Sequence, residues 1–127
     1  MQSIPAGAEN SARYHQAMKA RSKNMTPQAI ELVARRFRVL GEPARLAILN
    51  ALMKGELSVN GLVEATGLSQ ANVSKHLALL ADSGFVSRRR KGLFAIYRIA
   101  DASLFKLCDL MCSSIARRLG EDLREVS

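Results

Sequence analysis

A mainly helical fold carrying one small β-hairpin is predicted by three features of the sequence. Apolar residues recur at helical spacing through most of the chain. Glycines fall where those periodic stretches stop, and one stretch, Phe85 to Ile99, switches to strand-like residues. The hydrophobic fraction is 48%, enough for a core, while aromatic residues make up 5% and Trp is absent. That core must therefore rest on Leu, Ile, Val and Ala. A length of 127 residues suits one domain. Residues 1–25 are rich in Gly, Ser, Ala, Asn and Gln and show no sustained period, so a flexible basic tail is expected there and a folded domain over 26–127.

Thr26-Pro27 opens the first helix, since Thr suits an N-cap and Pro the first helical position. Ile30, Val33, Phe37 and Leu40 then share one face, and Gly41 is expected to end the helix in a left-handed conformation. Pro43 starts a second helix, with Leu46, Leu49 and Leu52 or Met53 facing inward, closed by Gly55. Ser58 is placed to cap a short third helix from Val59 to about Thr66, which Gly67 breaks. Ser69 can cap the next, from Gln70 to about Ser83, which Gly84 stops. A short helix, a tight glycine turn and a longer helix outline a helix-turn-helix. In its second helix Val73, Leu77 and Leu80 form the inward stripe, while Ala71, Lys75, Ala78 and Asp82 lie opposite, flanked by Asn72 and Ser74. That outer face is small and polar at its N-terminal end, which allows close approach to base edges.

Ser87 to Lys91 then reads as a basic strand, Gly92-Leu93 as a turn, and Phe94 to Ile99 as a returning strand. A hairpin directly after such a helix is a wing, so the fold expected is a winged helix-turn-helix. The last helix starts near Asp101, a candidate N-cap, and carries Leu104, Cys108, Met111 or Cys112, Ile115 and Leu119 as a stripe that Phe105 and Leu107 widen. A helix this apolar needs a partner surface, and the first helix has a similar surplus. The two terminal helices are expected to build a homodimer interface.

The net charge is +8, and it is focused: from Gly84 to Ile99 there are Arg88, Arg89, Arg90, Lys91 and Arg98 and no acid, whereas the segment after Ser103 is balanced. A focused positive charge implies a polyanionic partner. Basic residues also protect edge strands, but four in a row beside a helix-turn-helix favour phosphate contact. The candidate contacts to double-stranded DNA are Ser69, Gln70, Ala71, Asn72, Ser74 and Lys75 on the helix and Arg89, Arg90 and Lys91 on the wing. The basic tail, with Arg13, Lys19, Arg21 and Lys23, reads as plain disorder or as an arm that touches DNA. No apolar run approaches the ~20 residues of a membrane span. The opening MQSIPAGAEN lacks the basic-then-apolar order of a secretory signal, so a cytoplasmic protein with no membrane partner is expected.

No catalytic constellation is visible, and an enzyme is not expected. His15 lies in the tail, and His76 has no Cys or acid cluster around it in sequence, so it reads as a packing or phosphate-contact residue. The thiols Cys108 and Cys112 make no disulfide framework. Four residues apart on a helix, their Cβ atoms stand about 5–6 Å apart, beyond the ~3.8 Å of a relaxed disulfide. Their two readings stay open. They are small hydrophobes in a packed stripe, or, with four thiols gathered at a dyad, they sense a thiophilic ion such as arsenite, zinc or cadmium, or become oxidised. The only cofactor in view is such a metal or metalloid ion, or none. A thiol-disulfide enzyme is disfavoured because this spacing lacks the electropositive helix-start setting that activates a thiol. A winged-helix module that binds only protein is disfavoured by the basic wing.

The run LGEPARLAILNAL, followed by LSVNGLVEATGLSQANVSKHLALLADSGFVSRRRKGLFAIYRI, resembles the ArsR/SmtB family of bacterial repressors over roughly residues 29 to 120. The specific points are Leu40-Gly41 with Pro43 and Arg45, the Gly67-Leu68-Ser69-Gln70 turn, Val73-Ser74 with His76-Leu77, and Gly84 before the basic hairpin that ends in Tyr97-Arg98. Residue 42 is Glu where the family usually has Asp; either is expected to cap the second helix. The resemblance implies a homodimer with a wing at each end, recognition residues at Gln70, Ala71, Ser74 and Lys75, and release from an operator by a ligand, a metal or thiol modification. Persulfide belongs with the thiol modifications. The family's metal sites do not carry over. The stretch Glu56-Leu57-Ser58-Val59-Asn60 has no thiol, and the last helix keeps Asp101 but has no His.

Overall fold

The computed structural model describes residues 24–124. All but the last two residues of the expected tail lie outside that range, as does His15. The described residues fall into two units, divided between Arg35 and Arg36. The first holds the start of helix α1 (Pro27–Leu40). Thr26 caps it, its Oγ1 accepting the Ala29 N–H at 3.1 Å. Ile30, Leu32 and Val33 are exposed there.

The second unit contains the last turn of α1, then α2 (Pro43–Leu52), β1 (Leu57–Ser58), α3 (Val59–Thr66), α4 (Gln70–Asp82), β2 (Val86–Lys91), β3 (Phe94–Ile99) and α5 (Ser103–Leu119). The sheet is antiparallel, in the order β1-β3-β2. It contains the expected hairpin and a third strand that the sequence did not reveal: Leu57 pairs with Tyr97 and Ser58 with Ile96. A two-residue strand is too short to carry a period.

The core joins Ile48, Leu49 and Leu52 of α2, Leu62 of α3, Val73, Leu77 and Leu80 of α4, the Phe85-Val86 corner, Leu40 and Leu104. Full burial of a side chain of this size contributes about 1.5–3 kcal/mol before ordering costs. The cluster therefore fixes α2, α3 and α4 against the base of the hairpin. Among the described residues no buried side-chain nitrogen or oxygen lacks a hydrogen-bond partner. Arg36 ties the corners together: its Nη2 lies 2.9 Å from Asp101 Oδ2, and its guanidinium carbon lies 4.3 Å from the Phe85 ring centre.

The expected caps of α3 and α4 are present: Ser58 Oγ accepts from Gly61 N–H at 3.0 Å and Ser69 Oγ from Asn72 N–H at 3.1 Å. The expected N-cap of α5 is corrected: that position is Ala102, which makes no side-chain capping bond, while Asp101 just before it accepts from Ser103 N–H at 3.0 Å. Three further local expectations are corrected. Gly41 is not left-handed; among the described residues positive φ is found at Gly55, Gly67, Gly84, Gly92 and Gly120. Its N–H still reaches Phe37 O at 2.8 Å, and an added Cβ would stand 3.2 Å from that same oxygen. Close approach, not handedness, is what glycine supplies there. Glu42 takes the N-cap position of α2 with extended backbone, but its side chain makes no capping bond; one methylene longer than Asp, it does not fold back onto the first turn. Leu46 is exposed, and Ile48 fills the core in its place.

Candidate nucleic-acid interface

The turn between α3 and α4 is locked by side chains. Thr66 Oγ1 donates to Leu62 O at 2.6 Å and accepts from Leu68 N–H at 3.2 Å. Gly67, at φ 75°, ends α3 in the left-handed region, and the Ser69 cap starts α4 at once. Helix α4 buries Val73, Leu77 and Leu80. This sets the opposite side outward: Ser69, Gln70, Ala71, Asn72, Ser74 and Lys75 are all exposed and together at its N-terminal end. No acidic side chain sits in the first turn, so the positive end of the helix dipole is not cancelled there. The Ser69 hydroxyl oxygen is used by the cap, which leaves its O–H free to donate.

The wing divides its cations between two faces, because side chains alternate along a strand. Arg88 and Arg90 share the face of Val86, whereas Arg89 and Lys91 share that of Ser87. The expected trio Arg89, Arg90 and Lys91 is thus not one cluster. Arg89 Nη2 lies 2.6 Å from Glu56 Oε2, and its Nε donates to both carboxylate oxygens at 3.2–3.3 Å. The Arg89 hydrogen bond, with Arg98 and Lys91 nearby, holds the Glu56 carboxyl below its ordinary pKa. Arg89 is raised in return. Arg98 Nε donates to Ser87 Oγ at 3.0 Å. Arg90 and Lys91 make no ion pair among the described residues.

His76, on the same helix, is half-buried, and its Nδ1 lies 3.1 Å from Arg45 Nη1. Arg45 is a donor only, so Nδ1 accepts and Nε2 carries the proton. Arg45 also donates to Val39 O and Arg38 O, which satisfies the end carbonyls of α1. Burial, then Arg45 and Lys75, push the His76 pKa down against Glu42. Of its two expected roles, the structure shows packing and a hydrogen bond. Sequence reasoning gave Arg45 no partner and Glu56 no role. Both links span more than thirty residues and leave no local signal.

The thiols lie apart from this surface. Cys108 and Cys112 are half-buried and free, on the wall of an apolar groove of about 450 Å³ between the end of α1, α2 and α5, with Phe37, Leu46, Met53 and Met111. Burial pushes the Cys108 thiol up, and Cys112 and Asp109 add to that. Among the described residues no group of three or more His, Cys, Asp or Glu side chains is placed to hold a metal. One protomer therefore offers two sulfur donors and no third ligand of those types.

Residues 42–88 match the family model for bacterial regulatory proteins of the arsR family. The chain is 39% identical over 92 residues to a probable mercury resistance operon repressor of Streptomyces lividans, which covers 72% of this chain and 70% of that protein. It is 36% identical over 101 residues to the uncharacterised transcriptional regulator Rv0081 of Mycobacterium tuberculosis, covering 74% and 89%. The crystal structure of Rv0081 matches with a TM-score of 0.69 at 34% identity, covering 76% of this chain and 96% of that one. The solution structure of the homodimeric winged helix-turn-helix DNA-binding domain of Mb0332 from Mycobacterium bovis matches at 0.68 with 28% identity, covering 83% and 100%. With a winged helix-turn-helix fold and relatives of this identity along most of their length, the chain belongs to the ArsR family of bacterial transcriptional regulators.

Proposed function

We propose that the protein is a repressor that binds an imperfect inverted repeat in double-stranded DNA as a homodimer and leaves it when an inducer binds. The observation that carries this reading is the start of α4, where six small or polar candidates are exposed together, with Arg90 and Lys91 on the wing making no ion pair among the described residues. Gln70, Ser74 and Lys75 would reach base edges in the major groove, and two such helices about a dyad would read half-sites about 34 Å apart or a multiple of it. The homodimeric state of the Mycobacterium bovis relative supports dimerisation, as do the exposed apolar faces of α1 and α5. The names of the Streptomyces lividans relative and of the biofilm growth-associated repressor of Xylella fastidiosa support repression. Such a regulator works in the cytoplasm, where the chromosome is.

The test is a gel shift across a salt series on the gene's own upstream DNA. Each neutralised phosphate steepens the log–log salt slope by about 0.9, so Arg90→Ala with Lys91→Ala should flatten it. Gln70→Ala and Lys75→Ala should each cost about 1–3 kcal/mol at particular base positions. Binding without sequence preference overturns the reading.

For the inducer, the shared groove wall of Cys108 and Cys112 favours a thiophilic metal or metalloid. Two sulfurs suit a two-coordinate soft ion, or a site completed by the thiols of a second copy. Burial pushes the Cys108 thiol up, which makes Cys108 a poorer nucleophile at neutral pH, whereas a metal expels the protons as it binds. Wild type and Cys108→Ser/Cys112→Ser should differ in DNA release with arsenite, mercury(II), zinc or cadmium, and not with peroxide or persulfide. Equal release under every treatment assigns the cysteines to packing.

A further inference from the structure

Leu93 and Phe94, at the tip of the wing, are 92% and 62% exposed, and Leu93 is the most exposed large apolar side chain among the described residues. Gly92 takes the first central position of the two-residue turn at φ 63°, and among the described residues no non-glycine residue, Leu93 included, has positive φ. This is the pattern of a type II′ hairpin, which leaves Leu93 at the apex. Phe94 stands directly opposite Lys91, and Ala95 opposite Arg90. A leucine this exposed contributes almost nothing to the core, and a turn facing water is better served by Asn, Asp or Ser. An apolar apex next to two cations of β2 that have no ion-pair partner among the described residues therefore needs an explanation outside the fold.

We propose that Leu93 and Phe94 form an apolar wedge that enters the DNA minor groove flanking each half-site, while Arg90 and Lys91 engage the phosphates on its rims. This rests on the DNA-binding reading above and adds to it a contact of a different class. Charge complementarity selects the occupant. The minor groove is about 6 Å wide between two rows of phosphate, room for a side chain at the apex to lead. Arg90 and Lys91 stand behind it on β2, adjacent in sequence and on opposite faces of the hairpin, so a cation is available on either side of the ribbon. The groove walls are deoxyribose, which an apolar side chain can cover, and an inserted Leu or Phe partly unstacks a base step. The wedge favours steps that unstack at low cost, TA and CA/TG. Sequence would then be read at positions that α4 never touches.

The test uses the full chain and duplexes of 40 base pairs, a length of about this order spanning two turns and both flanks, enriched by the wild type from a random pool. Leu93→Ser/Phe94→Ser changes only exposed side chains, so the fold is retained. Its affinity for the enriched duplexes should fall about tenfold or more. The salt slope should stay unchanged, because no phosphate contact is lost, and the preference for a flexible flanking step should disappear. A 2-aminopurine at that step should brighten on binding wild type and stay dark with the variant. Lys91→Ala should do the reverse, flattening the slope and keeping the flank preference. Wild-type affinity and flank preference in the double variant overturn the wedge and leave the apex to some other partner. A loss accompanied by a flatter slope overturns it too. If the wild type enriches no duplex, the DNA-binding reading falls with it. If Gln70→Ala loses its base preference while the wing variant matches wild type, the wedge alone falls.

Discussion

Helices α4 and α5 are both amphipathic, and only one finds its covering inside the described chain. The stripe of α4, Val73, Leu77 and Leu80, is buried completely. In α5 only Leu104 is buried, while Leu110, Met111, Ile115 and Leu119 stay exposed, Leu110 at 69% and Leu119 at 62%. Both patterns look the same in sequence. Helical periodicity says that a face will be covered and not by what. An exposed apolar stretch of this extent marks an interaction surface, whereas α4 keeps its outer side small and polar for contact with water or a polar ligand.

The largest effect expected from breaking this contrast is at Leu77. Leu77→Ala should cost about 2–5 kcal/mol of unfolding free energy, read by denaturant titration at fixed protein concentration. A loss below that range would mean that the core closes over the cavity. Next comes the uncovered helix. Ile115→Asp with Leu119→Asp should leave the folding of each protomer intact, turn a dimer into a monomer in sedimentation, and weaken binding to a two-half-site duplex by at least about tenfold as the linked second contact is lost. A dimer that survives both aspartates would show that α5 is not its interface.

Substitutions at the starts of these two helices sharpen the contrast with a smaller effect. Ser69→Ala should cost about 1 kcal/mol of stability and also weaken DNA binding, since the cap lies at the exposed end of α4. Asp101→Ala removes the hydrogen bonds to Ser103 at the start of α5 and the Arg36 ion pair, so it should lower stability while leaving base preference untouched. The smallest effect is titration of His76. Its folded pKa lies below the ordinary 6.5, so on acidification the unfolded chain takes up the proton first. Stability should therefore fall as the pH drops below about 6.5 and level off once the folded imidazole is also protonated. His76→Gln, which cannot titrate, should remove that part of the slope. An unaltered slope assigns it to the carboxylates.

What could be read from the sequence was local. Ser58 and Ser69 each precede a periodic apolar run, and a cap needs only its own next turn. The wing was legible because Gly84 and Gly92 bracket a stretch rich in Arg and β-branched residues. What could not be read was set at a distance or by competition for space. Strand β1 exists because Leu57 and Ser58 meet Tyr97 and Ile96, some forty residues on. Arg89 was grouped with Arg90 and Lys91 by adjacency, yet Glu56 takes it out of that group. Leu46 and Ile48 are equally apolar, and only the position of α2 against its neighbours decides which is buried. Among the candidate DNA contacts, the residues of α4 come together as expected because one helical face suffices, whereas the wing trio is split by the pleat.

Ser58 ends β1 and caps α3: its backbone pairs with Ile96 of the wing while its hydroxyl holds the first turn of the helix-turn-helix. One residue is therefore a mechanical joint between the two parts that would touch DNA. A pull on the hairpin is felt at the start of α3, and a tilt of α3 is felt at the hairpin base. Bending strain in a bound duplex, entering through one groove, would be carried through this joint toward the helix lying in the other.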